Sequence, residues 1–146
     1  MASPSPEADV AAIVRLTNDY ALYNDTFQVD QLVDLFVSDA WFDMVPAGLD
    51  RYEGRDAIRD FFERERRALS HVMHLTGNHR VDINGDIASG TAYFLAMGIT
   101  RRAGVENHAR GYYSDTYVRT GAGWRFSSRT STPLLPWQPI TRGSST

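Results

Sequence analysis

The sequence predicts an α+β fold, a cone-shaped barrel in which a curved, mainly antiparallel sheet wraps around N-terminal helices. Two observations support this prediction. Apolar residues recur at helical spacing in the first half of the chain, whereas the second half contains three long β-type segments separated by turn motifs. A strongly twisted sheet that curls around amphipathic helices has one closed apolar end and one open mouth. Such a mouth is a natural small-molecule pocket.

The length of the chain indicates its domain organisation. With 146 residues it has the size of one domain with one core, and it contains neither repeats nor an interdomain linker. We expect a single domain over residues 1–146, with a core of about residues 8–132. The prolines from Pro133 onwards are expected to end the sheet, so residues 133–146 would form a tail that could cover the pocket.

Caps and apolar spacing predict the helices. A Ser5 cap followed by Pro6 and Glu7 marks the start of the first helix. On the third helix, the charged run from Glu63 to Arg67 is expected to face solvent. The predicted helices span residues 5–23, 30–36 and 55–69.

Turn motifs bound the predicted strands. Asn84-Gly85-Asp86 and Gly121-Ala122-Gly123 are strong hairpin signals, and residues 101–104 form the weaker turn between them. The predicted strands span residues 40–45, 71–83, 87–100, 105–120 and 124–132.

The composition excludes several kinds of chemistry. The chain has no cysteine, which rules out disulfides, thiolate nucleophiles and Cys-ligated zinc. All its basic residues are arginine, so Schiff-base catalysis, a pyridoxal-phosphate site and a P-loop are also ruled out, because each requires lysine. A net charge of −3 gives no reason to expect a nucleic-acid partner. Neither a signal peptide nor a membrane-spanning segment is evident, so we expect a soluble cytoplasmic protein without a membrane partner.

Three of the four histidines lie in the segment HVMHLTGNH. Side chains alternate faces along a strand, so His71 and His79 share one face and His74 takes the other, unless a bulge intervenes. His71 and His74 are three residues apart, and two strand side chains at that spacing cannot chelate one ion. No carboxylate cluster of suitable spacing is near, so no metal site is expected. His79 and His108 are both expected to be exposed.

His74 is the histidine that could act as a base. It lies mid-strand between Met73 and Leu75, where an imidazole is either a hydrogen-bonded core residue or a base that opens on the cavity. Asp25 favours the second alternative, because it ends the first helix and that helix end is expected near the cavity mouth. A carboxylate bound to one imidazole nitrogen fixes the tautomer and makes the other nitrogen a better base.

Four segments carry a resemblance to a known family: YALYNDTFQVDQLVDLFVSDAWFD, YEGRDAIRDFF, HVMHLTGNHRVDINGD and SDTYVRTGAGWRFSSR. Over about residues 8–132, the chain resembles the SnoaL-like branch of the nuclear transport factor 2-like superfamily. This family includes scytalone dehydratase, bile acid 7α-dehydratase, hexachlorocyclohexane dehydrochlorinase and polyketide cyclases. The resemblance implies the same cone-shaped fold. Its scaffold motifs are shared by members with unrelated activities, so they indicate fold more than function.

The resemblance also implies site residues. The family's catalytic aspartate and cavity histidine fall on Asp25 and His74. The tyrosine and the last-strand arginine that some members use fall on Tyr20 and Arg129. The implied substrate-binding residues are Asn24, Phe42, Leu95, Met97 and Tyr113. Three of these differ from the side chains of individual members, which leaves the leaving group and the substrate open.

The function implied by the resemblance is that of a lyase, a dehydratase, without metal or cofactor. His74 would remove a proton next to a carbonyl or an activated ring, and Asp25 would hold its tautomer. Tyr20 would donate a hydrogen bond to developing negative charge or to the departing oxygen, and Arg129 would supply fixed positive charge. The substrate would be a small, hydrophobic, cyclic carbonyl or polyketide-like molecule.

Two alternatives remain open at this stage. One is an isomerase or polyketide cyclase that uses the same base, and the other is a non-catalytic module that binds a small ligand. Similar proteins are commonly dimers or trimers, so a homo-oligomer is also expected.

Overall fold

The computed structural model describes residues 4–139, which form three α-helices packed against one six-stranded sheet. The helices are α1 (Pro6–Asp25), α2 (Val29–Val33) and α3 (Gly54–Ala68), and a short 3₁₀ helix spans Val45–Ala47. The strands are β1 (Phe36–Asp43), β2 (Arg51–Glu53), β3 (Leu69–Asn84), β4 (Ile87–Thr100), β5 (Glu106–Thr120) and β6 (Gly123–Pro139).

The strand order in the sheet is β2-β1-β6-β5-β4-β3. Neighbouring strands are antiparallel except for β1 and β6, which run parallel. The prediction of a mainly antiparallel sheet that curves around N-terminal helices is therefore confirmed. Within residues 4–139, no helix has both the length and the apolar character needed to cross a membrane.

Helix α1 begins as the sequence predicts. The Ser5 hydroxyl accepts a hydrogen bond from the Ala8 amide at 3.2 Å, and Pro6 occupies the first turn, where its missing N–H needs no partner. The helix ends at Asp25, and Phe27 adopts a positive φ of 56° shortly after that end. The end of α1 therefore brings Asp25 to a fixed position beside the sheet.

Aromatic rings fill the core. Tyr20 of α1 is 2% exposed and meets Phe36, Phe62, Tyr113 and Phe126 edge-on, with ring centroids between 5.8 and 6.3 Å apart. Edge-to-face contacts are favourable because the positive ring edge meets the negative ring face. This packing fixes the Tyr20 ring between the helices and the sheet.

A bulge in β3 determines which histidines face inward. The pairing of β3 with β4 shifts around Asn78, whose φ is 50°. The extra residue reverses the alternation of side chains, so His79 lies on the same inward face as His74. The exception allowed for a bulge therefore applies, and His79 does not share the face of His71.

Strand β6 continues beyond the residues predicted for it. The expectation that Pro133 ends the sheet is wrong, because β6 runs to Pro139 and pairs with β5 as far as Asn107. In the described structure, the pairing of β6 with β1 stops at Thr130, so on that side a proline has no ladder hydrogen bond to lose. Gly111 stands opposite Pro133, and its missing side chain leaves room for the backbone at Thr132 and Pro133.

Two smaller differences concern the segment between α1 and α3. The second helix ends at Val33, and Phe36, which was predicted as its last residue, begins β1 instead. Phe36 pairs with Phe126 of β6 and is completely buried, so packing against β6 favours the strand. Residues 51–53, which were not predicted as a strand, form the short strand β2.

Candidate active site

The cone encloses a cavity of about 470 Å³ whose wall is mostly apolar with a few polar groups, as is typical of small-molecule sites. The polar lining residues are Tyr20, Asn24, Glu65, His74, Asn107, Arg110, Tyr113 and Ser131. The remaining lining residues are Phe42, Met44, Ala47, Leu49, Phe61, Phe62, Leu69, Val72, Phe94, Ala96, Met97, Gly98, Ala109, Pro133 and Leu135.

Two hydrogen bonds join His74 to Asp25 at the cavity wall. The imidazole Nδ1 lies 2.6 Å from one carboxylate oxygen, and the backbone amide of His74 donates to the other at 2.9 Å. A carboxylate can only accept at Nδ1, which assigns the Nδ1–H tautomer and leaves the Nε2 lone pair available to take a proton. The pair therefore has the arrangement of an oriented general base.

Two structural elements bring this pair together. Asp25 is the last residue of α1, and α1 packs against β3. Strand β3 lies at the edge of the sheet, so the amide of His74 that points away from β4 has no strand partner and donates to Asp25 instead. The contact thus follows from where the helix ends and where the sheet ends.

Tyr20 and Tyr113 are two buried tyrosines of the cavity wall. They are 2% and 3% exposed. Burial raises the pKa of Tyr20 to about 12, although the neighbouring Arg129 opposes the rise, and burial raises the pKa of Tyr113 well above its ordinary value. Both hydroxyls therefore stay protonated at neutral pH and can donate hydrogen bonds to a ligand.

Arg129 lies behind these tyrosines and is not part of the cavity wall. It is completely buried and donates two hydrogen bonds to Asp115, each 2.8 Å long. Its guanidinium carbon is 3.8 Å from the ring centroid of Tyr113 and 4.2 Å from that of Tyr20. Its Nη1 has no hydrogen-bond partner among the described residues. Asp115 provides its counter-charge, and the two tyrosines that the guanidinium contacts line the cavity in its place.

Four of the predicted substrate-binding residues line the cavity, namely Asn24, Phe42, Met97 and Tyr113. Leu95 does not, and its assignment to the pocket wall is wrong. It is 49% exposed, because its neighbours Phe94 and Ala96 face the cavity and the alternation of β4 turns Leu95 to the outer face.

The cavity wall includes Glu65, which was expected to face solvent with its charged neighbours. It follows Phe61 and Phe62 at the spacing of one helical face, and that spacing is the signal that could have identified it. Burial raises the pKa of its carboxyl group, and the charges of Arg64 and His74 oppose this rise. Because Glu65 stands within a run of charged residues on α3, the sequence does not readily show that this turn of the helix faces the cavity.

Strands β5 and β6 contribute further wall residues. Arg110 lines the cavity, and its Nε is buried without a hydrogen-bond partner among residues 4–139. Pro133 and Leu135, which were predicted to belong to a covering tail, are part of the wall on β6. Residues 140–146 of that predicted tail lie outside the described residues.

The other histidines do not line the cavity. His71 is exposed, whereas His79 is half-buried and has a pKa lowered by burial and by Arg129, against the opposing charge of Asp115. The His108 side chain is only 25% exposed, so the expectation of exposure is wrong for both His79 and His108. In the described part of the chain, no three His, Asp or Glu side chains are grouped so that they could hold a metal ion.

Several solved structures share this fold. A protein from Novosphingobium aromaticivorans, provisionally named as an aromatic ring hydroxylase, is 33% identical, covers 93% of this chain and 96% of its own, and has a TM-score of 0.89. Another from the same organism, provisionally named as a scytalone dehydratase, is 23% identical over 90% of this chain and 87% of its own, with a TM-score of 0.82. A type 2 hexachlorocyclohexane dehydrochlorinase is 21% identical over 90% and 88%, with a TM-score of 0.81.

Sequence-level comparison gives a family but no individual relative. None of the curated proteins matches the chain significantly. The SnoaL-like domain matches residues 7–130, which include α1, α3 and most of the sheet. The chain therefore belongs to the SnoaL-like domain family of the nuclear transport factor 2-like superfamily.

Proposed function

We propose that this protein is a cofactor-independent lyase, a dehydratase, that removes a proton from carbon next to a carbonyl group or an activated ring and expels a hydroxyl group. The observation that carries the proposal is the hydrogen-bonded pair of Asp25 and His74 in the wall of an apolar cavity. Two of the structurally similar proteins have names that denote eliminations, which is consistent with this reaction class.

His74 is the proposed base. Its Nε2 takes the proton, and Asp25 holds the tautomer and stabilises the imidazolium that forms. A positioned base of this kind contributes a factor of roughly 10²–10⁴ in rate. This factor suits carbon acids that a neighbouring carbonyl group already activates.

Tyr20 is the proposed donor to the oxygen that gains negative charge. It is buried and protonated, so it can stabilise an oxyanion in a site with little water. One such donor is worth about 3–4 kcal/mol. The proposed role of Arg129 is to provide positive charge behind Tyr20 and Tyr113, whose rings it contacts. Its ion pair with Asp115 favours this indirect role over a contact with the substrate.

The proposed substrate is a small, hydrophobic, cyclic carbonyl or polyketide-like molecule. The wall supports this class because it presents the flat rings of Phe42, Phe94 and Tyr113 together with Met97. Asn24 offers an amide beside them for a polar substituent. We place these residues in the substrate-binding wall, while Leu95 faces away from it.

Two alternatives use the same cavity. An isomerase or polyketide cyclase would use the same base without losing a leaving group, so its product would have the mass of its substrate. A non-catalytic ligand-binding module would keep Asp25 and His74 only as a buried polar pair. The orientation of the imidazole by a carboxylate favours the enzyme, because a pair that only packs needs no base held in one tautomer.

We also propose that the protein forms a homo-oligomer, a dimer or a trimer, through the outer face of the sheet. Large apolar side chains are exposed there on adjacent strands, and soluble monomers rarely expose such contiguous surface. They are Met73 and Leu75 on β3 and Tyr93 and Leu95 on β4. Light scattering on the wild type and on Leu75→Glu tests this proposal. A smaller particle for L75E supports it, and a monomeric wild type contradicts it.

The catalytic proposal is tested by comparing His74→Gln with His71→Gln, a control on the same strand with an exposed side chain. Glutamine keeps the polarity of histidine but cannot take up a proton. The probe is a tetralone with a hydroxyl group β to its carbonyl, because its dehydration product tautomerises to a fluorescent naphthol. We expect H74Q to lower kcat at least about a hundredfold and H71Q to leave it unchanged.

Three other outcomes would contradict the proposal. If H74Q kept the wild-type kcat, His74 could not be the base. Ring closure or isomerisation of the probe at constant mass would favour the isomerase or cyclase. Binding of the probe by the wild type without any turnover would favour the ligand-binding module.

A further inference from the structure

Glu65 lines the cavity from α3, which is a different element from those that carry the Asp25–His74 pair. It shares one face of the helix with Phe61 and Phe62, which also line the cavity. Among the described residues, Glu65 is the only Asp or Glu in the cavity wall, because Asp25 stands behind His74.

Glu65 lacks the partners that usually accompany a half-buried carboxylate. Glu63 on the same helix accepts a hydrogen bond from Arg66 at 2.9 Å. The Glu65 carboxyl has neither an ion pair nor a hydrogen bond within residues 4–139. Burial raises its pKa, and the rise is opposed by Arg64 on its own helix and, once its imidazole has taken up a proton, by His74 on β3. An unpartnered carboxyl in an apolar wall keeps its proton more readily than an exposed one, which suits a proton donor.

A dehydration needs a proton donor as well as a base, because hydroxide is a poor leaving group. The other polar groups of the wall meet this need poorly. Tyr20 has a pKa of about 12 and gives up its proton reluctantly. Arg110 is a much weaker acid still, because a guanidinium does not lose its proton in proteins. Asn24 has no ionisable proton, so Glu65 is the wall residue whose acidity suits the task.

We propose that Glu65 is the general acid that protonates the departing oxygen, an inference that rests on the proposed function. His74 takes the proton from carbon, the C–H electron pair becomes the new C=C bond, and the C–O bond breaks. The departing oxygen takes the carboxyl proton of Glu65 and leaves as water. The proton on His74 then returns to the Glu65 carboxylate, directly or through solvent, and both groups are restored.

The experiment separates proton abstraction from loss of the leaving group by using two probes. Unsubstituted tetralone has no leaving group, so NMR in D₂O reports only the exchange of its α-hydrogens. The tetralone with a β-hydroxyl group reports the complete dehydration as naphthol fluorescence. Glu65→Gln is compared with Glu63→Gln, which removes a carboxylate from the same helix outside the cavity. Thermal unfolding of both variants verifies that they are folded.

For E65Q we expect dehydration to fall at least about a hundredfold while α-hydrogen exchange stays nearly unchanged. E63Q should change neither reaction. Glu65→Asp, which keeps an acid with a shorter reach, should lose less dehydration activity than E65Q. If E65Q proves too unstable to assay, a loss of dehydration in E65D without a loss of α-hydrogen exchange supports the proposal. Wild-type dehydration in E65D, or an equal loss of both reactions, would count against it in the same way as for E65Q.

Other outcomes would overturn the inference in distinguishable ways. Wild-type dehydration by E65Q, with exchange still abolished in His74→Gln, would remove Glu65 as the acid and leave the proposed function intact. An equal loss of exchange and dehydration in E65Q would assign Glu65 to substrate binding or packing. Absence of exchange and of dehydration in the wild type would refute the proposed function and this inference with it.

Discussion

Asp25 holds His74 at two points, the backbone amide and the ring Nδ1, although the two residues are 49 positions apart in the sequence. Both contacts require an acceptor. In Asp25→Asn, the amide offers only one acceptor, so either one hydrogen bond is lost or the imidazole changes tautomer and presents Nε2–H to the cavity. We expect D25N to lower turnover at least about a hundredfold with a small loss of thermal stability. ¹⁵N chemical shifts of the histidine ring report the tautomer, and an unchanged turnover with an unchanged tautomer would contradict this assignment.

The buried pair of Arg129 and Asp115 predicts a strong and non-additive effect on stability. Asp115 also accepts a hydrogen bond from the Tyr117 hydroxyl at 2.8 Å, so it compensates buried charge and accepts three hydrogen bonds in all. Asp115→Asn leaves the guanidinium without its counter-charge and should lower the free energy of unfolding by about 3–5 kcal/mol. The double variant with Arg129→Met should lose less than the sum of the single variants in chemical denaturation. Strict additivity would show that the two residues are not coupled.

His79 predicts a dependence of stability on pH. Its pKa in the folded protein lies below the ordinary value of 6.5, because burial and Arg129 disfavour the imidazolium while Asp115 only partly compensates. As the pH falls below 6.5, the unfolded chain takes up a proton that the folded protein resists, so stability decreases. Replacing His79 with Asn should flatten this decrease, measured by urea unfolding at about pH 7.5 and about pH 5. His71→Asn, an exposed control, should leave the slope as it is in the wild type.

The close approach of β6 to β5 at Gly111 leads to a prediction about stability. A Cβ atom at this position would lie 2.1 Å from the Thr132 carbonyl oxygen and 2.9 Å from the Pro133 Cα, and neither is a flexible side-chain end. Gly111→Ala should therefore push β6 away from β5 and destabilise the fold by about 1–3 kcal/mol. Gly77→Ala is the matched control, because a Cβ there meets nothing within 4 Å. Amide hydrogen exchange should be faster at the β6 end in G111A alone, and equal protection in both variants would count against the clash.

The fold was predictable because its signals are local. The cap at Ser5, the apolar spacing of the helices and the Asn84-Gly85-Asp86 turn each lie within a few residues, and the family resemblance gave the way the elements assemble. The end of β6 was not predictable from proline content, because tolerance of Pro133 depends on a strand end without a partner on one side and on Gly111 opposite. Both are tertiary facts.

The site was predictable where it depends on one pair of residues. It was less predictable where the alternation of a strand decides whether a side chain faces the cavity or the outer surface. His74 and Asp25 meet because each stands at a defined end or face of its element. Leu95 was misplaced because its position was taken from the family resemblance, and on an alternating strand a shift of one position exchanges wall and surface. His79 faces inward only because of the bulge at Asn78, a backbone feature with no reliable sequence signal.

The tether between the His74 peptide amide and Asp25 does not involve the side chain at position 74. If the imidazole is replaced by another side chain, the main chain can therefore still hold the Asp25 carboxylate in place. A different reactive side chain at position 74 would then have a carboxylate beside it. The fold thus keeps Asp25 in a fixed position while position 74 is open to redesign.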